Sequence, residues 1–220
     1  MKRYLSIFLS SIFSGILISI GGMVYLSSKN YSPILASFLF AFGLFTIITL
    51  NLHLYTGKIG YLFENKKQYL LDLVICLFGN ALASISTGYL LYGISHKDER
   101  FLTMIHNANS LCQIKSSSSW LSILVLSFFC GVMIFLAVEL SKRDLHAIFK
   151  VIAIFLSVAI FILCGFEHCI ANMFYYSLAN MWDLKSIGYI LLTIIGNSLG
   201  SLFLYALLYF SNQTKKDFLK

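Results

Sequence analysis

The stretch Gly165-Phe166-Glu167-His168-Cys169-Ile170-Ala171-Asn172-Met173 interrupts an apolar run that begins at Lys150 and resumes through Tyr176. Glycine permits an unwound backbone. Amides freed there must face a cavity or other protein rather than lipid. A second run, from Pro33 to Tyr55, is broken in the same manner. It is apolar to Leu50 and then reads Asn51-Leu52-His53-Leu54-Tyr55-Thr56-Gly57-Lys58.

The rest of the chain gives these interruptions their setting. Of 220 residues, 59% are hydrophobic and only 11% charged, with a mean hydropathy of +0.83. A chain of this size has too little interior to hide so much apolar surface from water. Soluble enzymes, disordered tails and disulfide scaffolds fit poorly, and the single proline, Pro33, excludes a proline-rich reading. Six apolar runs are present: Leu5–Leu26, Pro33–Tyr55, Tyr69–Tyr92, Trp120–Leu140, Lys150–Cys164 continuing through Tyr176, and Ser186–Phe210. Each is long enough to cross roughly 30 Å of hydrocarbon as a helix. None shows the alternation of a membrane β-strand. The expectation is an all-α membrane protein forming a single transmembrane domain over residues 1–220.

Basic residues fall mostly between these runs, so the net charge of +7 is read as topogenic rather than as a nucleic-acid surface. Eleven lie on one set of connections (Lys2, Arg3, Lys58, Lys66, Lys67, Lys142, Arg143, Lys150, Lys215, Lys216, Lys220). Five lie on the other (Lys29, Lys97, Arg100, Lys115, Lys185). The asymmetry predicts both termini in the cytoplasm and a multi-pass protein of the cytoplasmic membrane. Met1-Lys2-Arg3 before an apolar stretch resembles a signal peptide. No clear small-x-small cleavage site follows, and the segment is read as a retained helix.

The chain also repeats itself at an offset of about 116 residues. Phe78-Gly79-Asn80-Ala81-Leu82-Ala83-Ser84 matches Ile195-Gly196-Asn197-Ser198-Leu199-Gly200-Ser201, and Gly15 aligns with Gly131. Each half, about 5–92 and 115–210, then holds three spans. An odd number inverts the second half relative to the first, which predicts a substrate path at the interface of the halves, beside the broken second and fifth helices.

Within that path the polar residues separate by chemistry. Glu167 and His168 lie at a depth where an ionisable group costs at least about 2.5–3.5 kcal/mol unless it faces a cavity or a partner. Glu167 is suited to holding free amides. His168 both donates and accepts, and titrates near physiological pH. Thr56 is the approximate repeat counterpart of His168. Asn80, Asn172 and Asn197 are buried amides, and for Asn80 and Asn197 the plainer role is helix-to-helix bonding or satisfaction of the broken backbone. Lys115 precedes the fourth span on the outer side, where lysine commonly snorkels but also raises local anion concentration. Cys164, His168 and Cys169 form a thiol–imidazole set without an oxyanion-hole or orienting motif. The five cysteines show no metal-ligand spacing and no phosphate loop occurs, so neither metal nor cofactor is assigned.

Together these residues resemble the formate/nitrite transporter family, which includes formate, nitrite and hydrosulfide channels. Gly165–Met173 is similar almost letter for letter to its G-F-E-H-x-I-A-N-M signature, and Leu54-Tyr55-Thr56 to its L-F-T loop. Gly79-Asn80 and Gly196-Asn197 are similar to its two G-N positions. The resemblance runs from about Leu5 to Phe210. It implies an aquaporin-like fold of six helices per protomer, a homopentamer in the lipid bilayer, and one path through each protomer for a small anionic or weak-acid substrate. On that resemblance the central histidine is His168, the loop threonine Thr56 and the vestibule lysine Lys115, with Asn172 and Glu167 along the path. The apolar constrictions are Phe40, Leu44, Leu54, Tyr55 and Phe161. The chain departs from the family pattern at four positions: His53 replaces an acidic residue, Lys58 an asparagine, Gly131 an asparagine and Tyr55 a phenylalanine. The segment before the first span is also shorter than usual.

The resulting expectation is a channel or transporter for formate, nitrite or hydrosulfide, with proton coupling through the central histidine. Rival readings are a water or neutral-solute channel on the same fold, an intramembrane thiol enzyme or carrier using Cys164, His168 and Cys169, and a structural membrane subunit.

Overall fold

The structure, a computed structural model, describes residues 2–95, 98 and 101–218, with side chains to residue 211. Of the charges counted above, Lys97, Arg100 and Lys220 lie outside the described residues, as does Met1. Among the described residues every regular element is helical. The order is α1 (Lys2–Ser28), α2 (Pro33–Thr49), α3 (Tyr55–Lys58) running into a 3-10 segment (Ile59–Glu64), α4 (Gln68–Ser95), α5 (Leu102–Ser117), α6 (Trp120–Lys142), α7 (Ala147–Leu163), α8 (Cys169–Leu178) and α9 (Leu184–Phe218).

Among the described residues four helices are long and apolar enough to cross a membrane: α1, α4, α6 and the Leu184–Ser211 part of α9. Two shorter apolar helices, α2 and α7, stop part-way, and each is followed after a break by a short polar-tipped helix. The molecule is a multi-pass membrane protein. Many of its large apolar side chains, such as Leu5, Phe78, Leu121 and Phe203, point outward. This is unfavourable in water and ordinary against hydrocarbon.

The breaks share one physical device. Ser32 caps the start of α2 by accepting from the Leu35 amide at 3.3 Å, with Pro33 at the first helical position, where its missing N–H costs nothing. The helix ends with Asn51 in the left-handed region (φ 51°). There the Leu52 amide donates to Ile47 O at 2.9 Å and the Asn51 amide to Ile48 O at 3.1 Å. In α7 Gly165 takes that role (φ 67°). The Phe166 amide donates to Phe161 O at 2.9 Å and the Gly165 amide to Ile162 O at 3.0 Å. This paired bonding closes a helix C-terminus and turns the chain sharply away from its axis.

The two halves pack alike and then interlock. In the first half α1 lies against α2 and α4, and in the second α6 lies against α7 and α9. The short pieces cross over: α8 docks on α4 and α1, while α3 and its 3-10 extension dock on α6 and α9. Close approach inside each half depends on glycine. A Cβ on Gly131 would lie 2.1 Å from Asn197 O, and one on its repeat mate Gly15 would lie 2.6 Å from Asn80 O. The Gly131 departure therefore belongs to the seam between α6 and α9.

One element was expected only as a connection. α5 is a helix with Met104, Asn107, Ala108, Cys112 and Lys115 buried on one face. That is helical spacing, but too polar in average composition to stand out as an apolar run.

Candidate functional site

The two breaks are held by two asparagines in the same way. Asn80 Oδ1 accepts from the Tyr55 amide at 2.8 Å. Its Nδ2 donates to Ser11 O at 2.7 Å and His53 O at 3.0 Å. Asn197 Oδ1 accepts from the Cys169 amide at 3.0 Å. Its Nδ2 donates to Ser127 O and Glu167 O, both at 2.8 Å. Each side chain thus supplies an acceptor and a donor to a break that lipid would leave unsatisfied, and ties it by a second donor to α1 or α6. The plainer role assigned to these asparagines is the one found. The Ser201 hydroxyl adds to this support, lying 2.9–3.3 Å from the carbonyls of Asn197, Gly131 and Thr56.

Support of this kind leaves the tips of α3 and α8 facing one another. Thr56 is fully buried in the first turn of α3, and His168 is the buried N-cap of α8. Thr56 Oγ1 and His168 Nε2 are 3.0 Å apart. His168 Nδ1 accepts from the Ala171 amide at 3.2 Å. A nitrogen that accepts carries no proton, so in the neutral ring the proton sits on Nε2 and is donated to Thr56 Oγ1. The threonine hydroxyl hydrogen is then left to point elsewhere.

Two cavities flank this pair. One, of about 440 Å³, is lined by Leu44 and Leu54, by Gly57 and Lys58, and by Lys142 and Lys150 from α6 and α7. The other, of about 120 Å³, is lined by Phe161, Glu167, His168, Asn172 and Lys115, with Tyr25 and Tyr175. Phe161 stacks on the His168 ring with centroids 6.0 Å apart, and Phe40 meets Phe161 edge-on at 5.9 Å. The expected constriction residues are therefore divided. Leu44 and Leu54 lie on the first side and Phe161 on the second, while Phe40 backs Phe161. Tyr55 lines neither cavity, and its hydroxyl meets Ser198 Oγ on α9 at 2.8 Å.

Lys115 does not stand as an unpaired cation at its mouth. Its ammonium lies 2.5 Å from Glu167 Oε2, and Asn172 Nδ2 donates to the same oxygen at 2.6 Å. Both charged side chains are nearly out of solvent, at 8% and 5% exposure. Glu167 thereby joins α5 to the first turn of α8, and its chain position next to His168 makes the pair a brace for the imidazole. Cys164 is exposed and Cys169 fully buried, its amide committed to Asn197. His53 turns its Nδ1 to Ser10 Oγ at 3.0 Å. Lys142 and Lys150, counted only as topogenic charges, prove to line a single cavity with Lys58, one of the departures from the family pattern. Tyr25 and Tyr175 carried no signal in the sequence beyond their place in apolar runs, whereas Ser198 and Ser201 fall within the repeated motif.

Comparisons with known proteins identify the family and the fold. The model of the formate/nitrite transporter family matches residues 1–211. Among similar relatives, the formate-nitrite transporter of Plasmodium knowlesi is 26% identical over 209 residues, covering 86% of this chain and 67% of that protein. The formate channel FocB of Escherichia coli is 25% identical over 192 residues, covering 79% and 66%. A solved pentameric formate channel with formate bound superposes with a TM-score of 0.75 at 22% identity, over 100% of this chain and 99% of that one. An FNT family ion channel gives 0.80 at 22% identity, over 94% and 90%. The chain belongs to the formate/nitrite transporter family.

Proposed function

We propose that this chain passes the small monovalent anions of weak acids, namely formate, nitrite or hydrosulfide, across the cytoplasmic membrane. In this reading two inverted halves make six crossings on an aquaporin-like plan, with both termini in the cytoplasm. Five copies assemble, each with its own path. The observation that carries the reading is the 3.0 Å contact of Thr56 Oγ1 with His168 Nε2 between two cavities.

The physical obstacle is the cost of a bare charge in a dry gap, several kcal/mol even after relaxation. Leu44 and Leu54 on one side and Phe161 on the other exclude water from the gap. The Thr56 hydroxyl hydrogen, released by the Nε2–H bond, donates to the passing anion. The N-terminus of the ten-residue α8 adds partial positive charge nearby. Protonating Nδ1 would set an N–H against the Ala171 amide and remove the cap of α8. His168 therefore acts as a neutral donor, and the proton that makes crossing inexpensive rides on the substrate acid.

Uptake of formate, nitrite and hydrosulfide into proteoliposomes tests this. Thr56→Val keeps the volume and removes the hydroxyl. Loss of a buried hydrogen bond costs about 1–3 kcal/mol, so a roughly tenfold or larger fall in anion flux is expected. Unchanged flux in both Thr56→Val and His168→Ala overturns the assignment.

A second reading, a water or neutral-solute conduit, draws support from the pairing of Lys115 with Glu167, which removes net charge from that mouth. It requires vesicles that shrink and recover with neutral solutes and take up no formate.

A further inference from the structure

The two cavities differ in charge as well as in size. Lys58 in α3, Lys142 at the end of α6 and Lys150 in the first turn of α7 line the larger one, and among the described residues no aspartate or glutamate lines it. The smaller one has a single ammonium, Lys115, paired with a single carboxylate, Glu167. Of the acids close by, Asp144 is exposed in the turn between Lys142 and Ala147, and Glu139 and Glu64 act electrostatically on Lys142. Glu139 accepts from the Tyr61 hydroxyl at 2.9 Å and from Arg143 at 2.5 Å, and Glu64 opens with Arg3 onto a separate polar recess. Lys142 is partly engaged, lying 3.5 Å from the centre of the Tyr61 ring. The half-buried Lys58 and Lys150 have no hydrogen-bond or ion-pair partner for their ammonium groups among the described residues.

Resting on the reading of the chain as an anion conduit, we propose that the Lys58 cavity is an anion-holding antechamber, with Lys58 the residue that sets its hold. The conduit then saturates at lower anion concentration from the Lys58 mouth than from the Lys115 mouth. The unpaired ammonium groups of Lys58 and Lys150, set against apolar walls, focus their field on the cavity and concentrate a monovalent anion there. The carboxylate of Glu167 cancels that effect at the other mouth. Lys58 also lies two residues from Thr56, so an anion held by it waits at the entrance to the gap. A passive conduit cannot pump. At zero voltage the ratio of maximal rate to half-saturation concentration must be equal in both directions. Tighter holding on one side therefore appears as a lower half-saturation concentration together with a proportionally lower maximal rate.

The test is initial uptake of radiolabelled formate into right-side-out and inside-out membrane vesicles carrying the full chain, with voltage and pH gradient clamped to zero. At low ionic strength the half-saturation concentrations for the two faces are expected to differ by about 3- to 10-fold, and to converge in about 0.5 M impermeant salt. Lys58→Gln raises the lower of the two values and brings them together, whereas Lys58→Arg keeps them apart. Lys150→Gln narrows the gap and serves if Lys58→Gln does not reach the membrane. Equal values for the wild type, or a gap unchanged by both glutamine variants, overturns the antechamber. Saturable but symmetric uptake defeats this inference alone, whereas no formate uptake by the wild type defeats the proposed function as well.

Discussion

At the residue scale the site is a set of polar groups with nowhere else to bond. Asn80 and Asn197 each make three hydrogen bonds to backbone, two at the break and one to a carbonyl of α1 or α6. Replacing either by Ala leaves buried amides and carbonyls unmade, each costing about 1–3 kcal/mol. A marked fall in the detergent unfolding temperature is expected, and Asn→Asp does not restore it, because a carboxylate donates nothing to the two carbonyls. Lys115 and Glu167 behave differently. Removing one partner strands a buried charge at a cost of about 3–5 kcal/mol, whereas removing both does not. Lys115→Met is therefore expected to lower stability sharply, and Lys115→Met with Glu167→Gln to recover most of the loss. A double variant as unstable as the single would mean that the ion pair is not what holds α5 to α8. Much of this scale was legible. Glu167, His168 and Asn172 stand out because polar residues are rare in hydrocarbon. The pairing of Lys115 with Glu167 was not legible, since 52 residues separate them and nothing local joins a lysine in a polar stretch to a carboxylate in an apolar one.

At the element scale the fold turns on where α2 and α7 stop. Gly165 marks the second stop openly, because glycine tolerates φ of 67° at no cost. The polar stretch beginning at Asn51 marks the first, although asparagine signals the left-handed turn itself less openly than glycine does. Asn51→Gly is expected to be tolerated. Asn51→Val should cost about 1–2 kcal/mol in the left-handed strain alone and reduce the yield of folded protein, as judged by size-exclusion profile and thermal unfolding. A valine variant indistinguishable from wild type would mean that α2 does not end there. Seam glycines give a second handle. Gly131→Ala places a methyl within 2.1 Å of a backbone oxygen, so α6 and α9 must separate. α5 escaped the sequence reading because its apolar stripe is narrow, while the spacing of its buried face is helical on inspection.

At the scale of the whole molecule, the repeated motif around Asn80 and Asn197 already implied matching halves. It did not say that each short helix would dock against the opposite half, a long-range consequence of how α3 and α8 leave their breaks. That exchange brings Thr56 to His168. Apart from Lys115, and Lys58 as a departure from the family pattern, basic residues read from sequence as topology, and the gathering of Lys58, Lys142 and Lys150 around one cavity needs the folded chain. If His168 stays neutral as its bonds to Ala171 and Thr56 require, the pH dependence of uptake follows the substrate. Formate and hydrosulfide profiles are expected to separate according to the acidity of each substrate acid. A common profile for both would point to a protein group instead.

The central claim is that two broken helices meet and set a threonine hydroxyl against an imidazole in a dry conduit. The most direct measurement is an electron cryo-microscopy map of the protein in lipid nanodiscs with formate. The expected map shows both spans interrupted, at residues 50–54 and 164–168, with an anion within hydrogen-bonding reach of Thr56 Oγ1 between the two cavities. Continuous helices through either segment, or a His168 ring turned toward lipid, would contradict it.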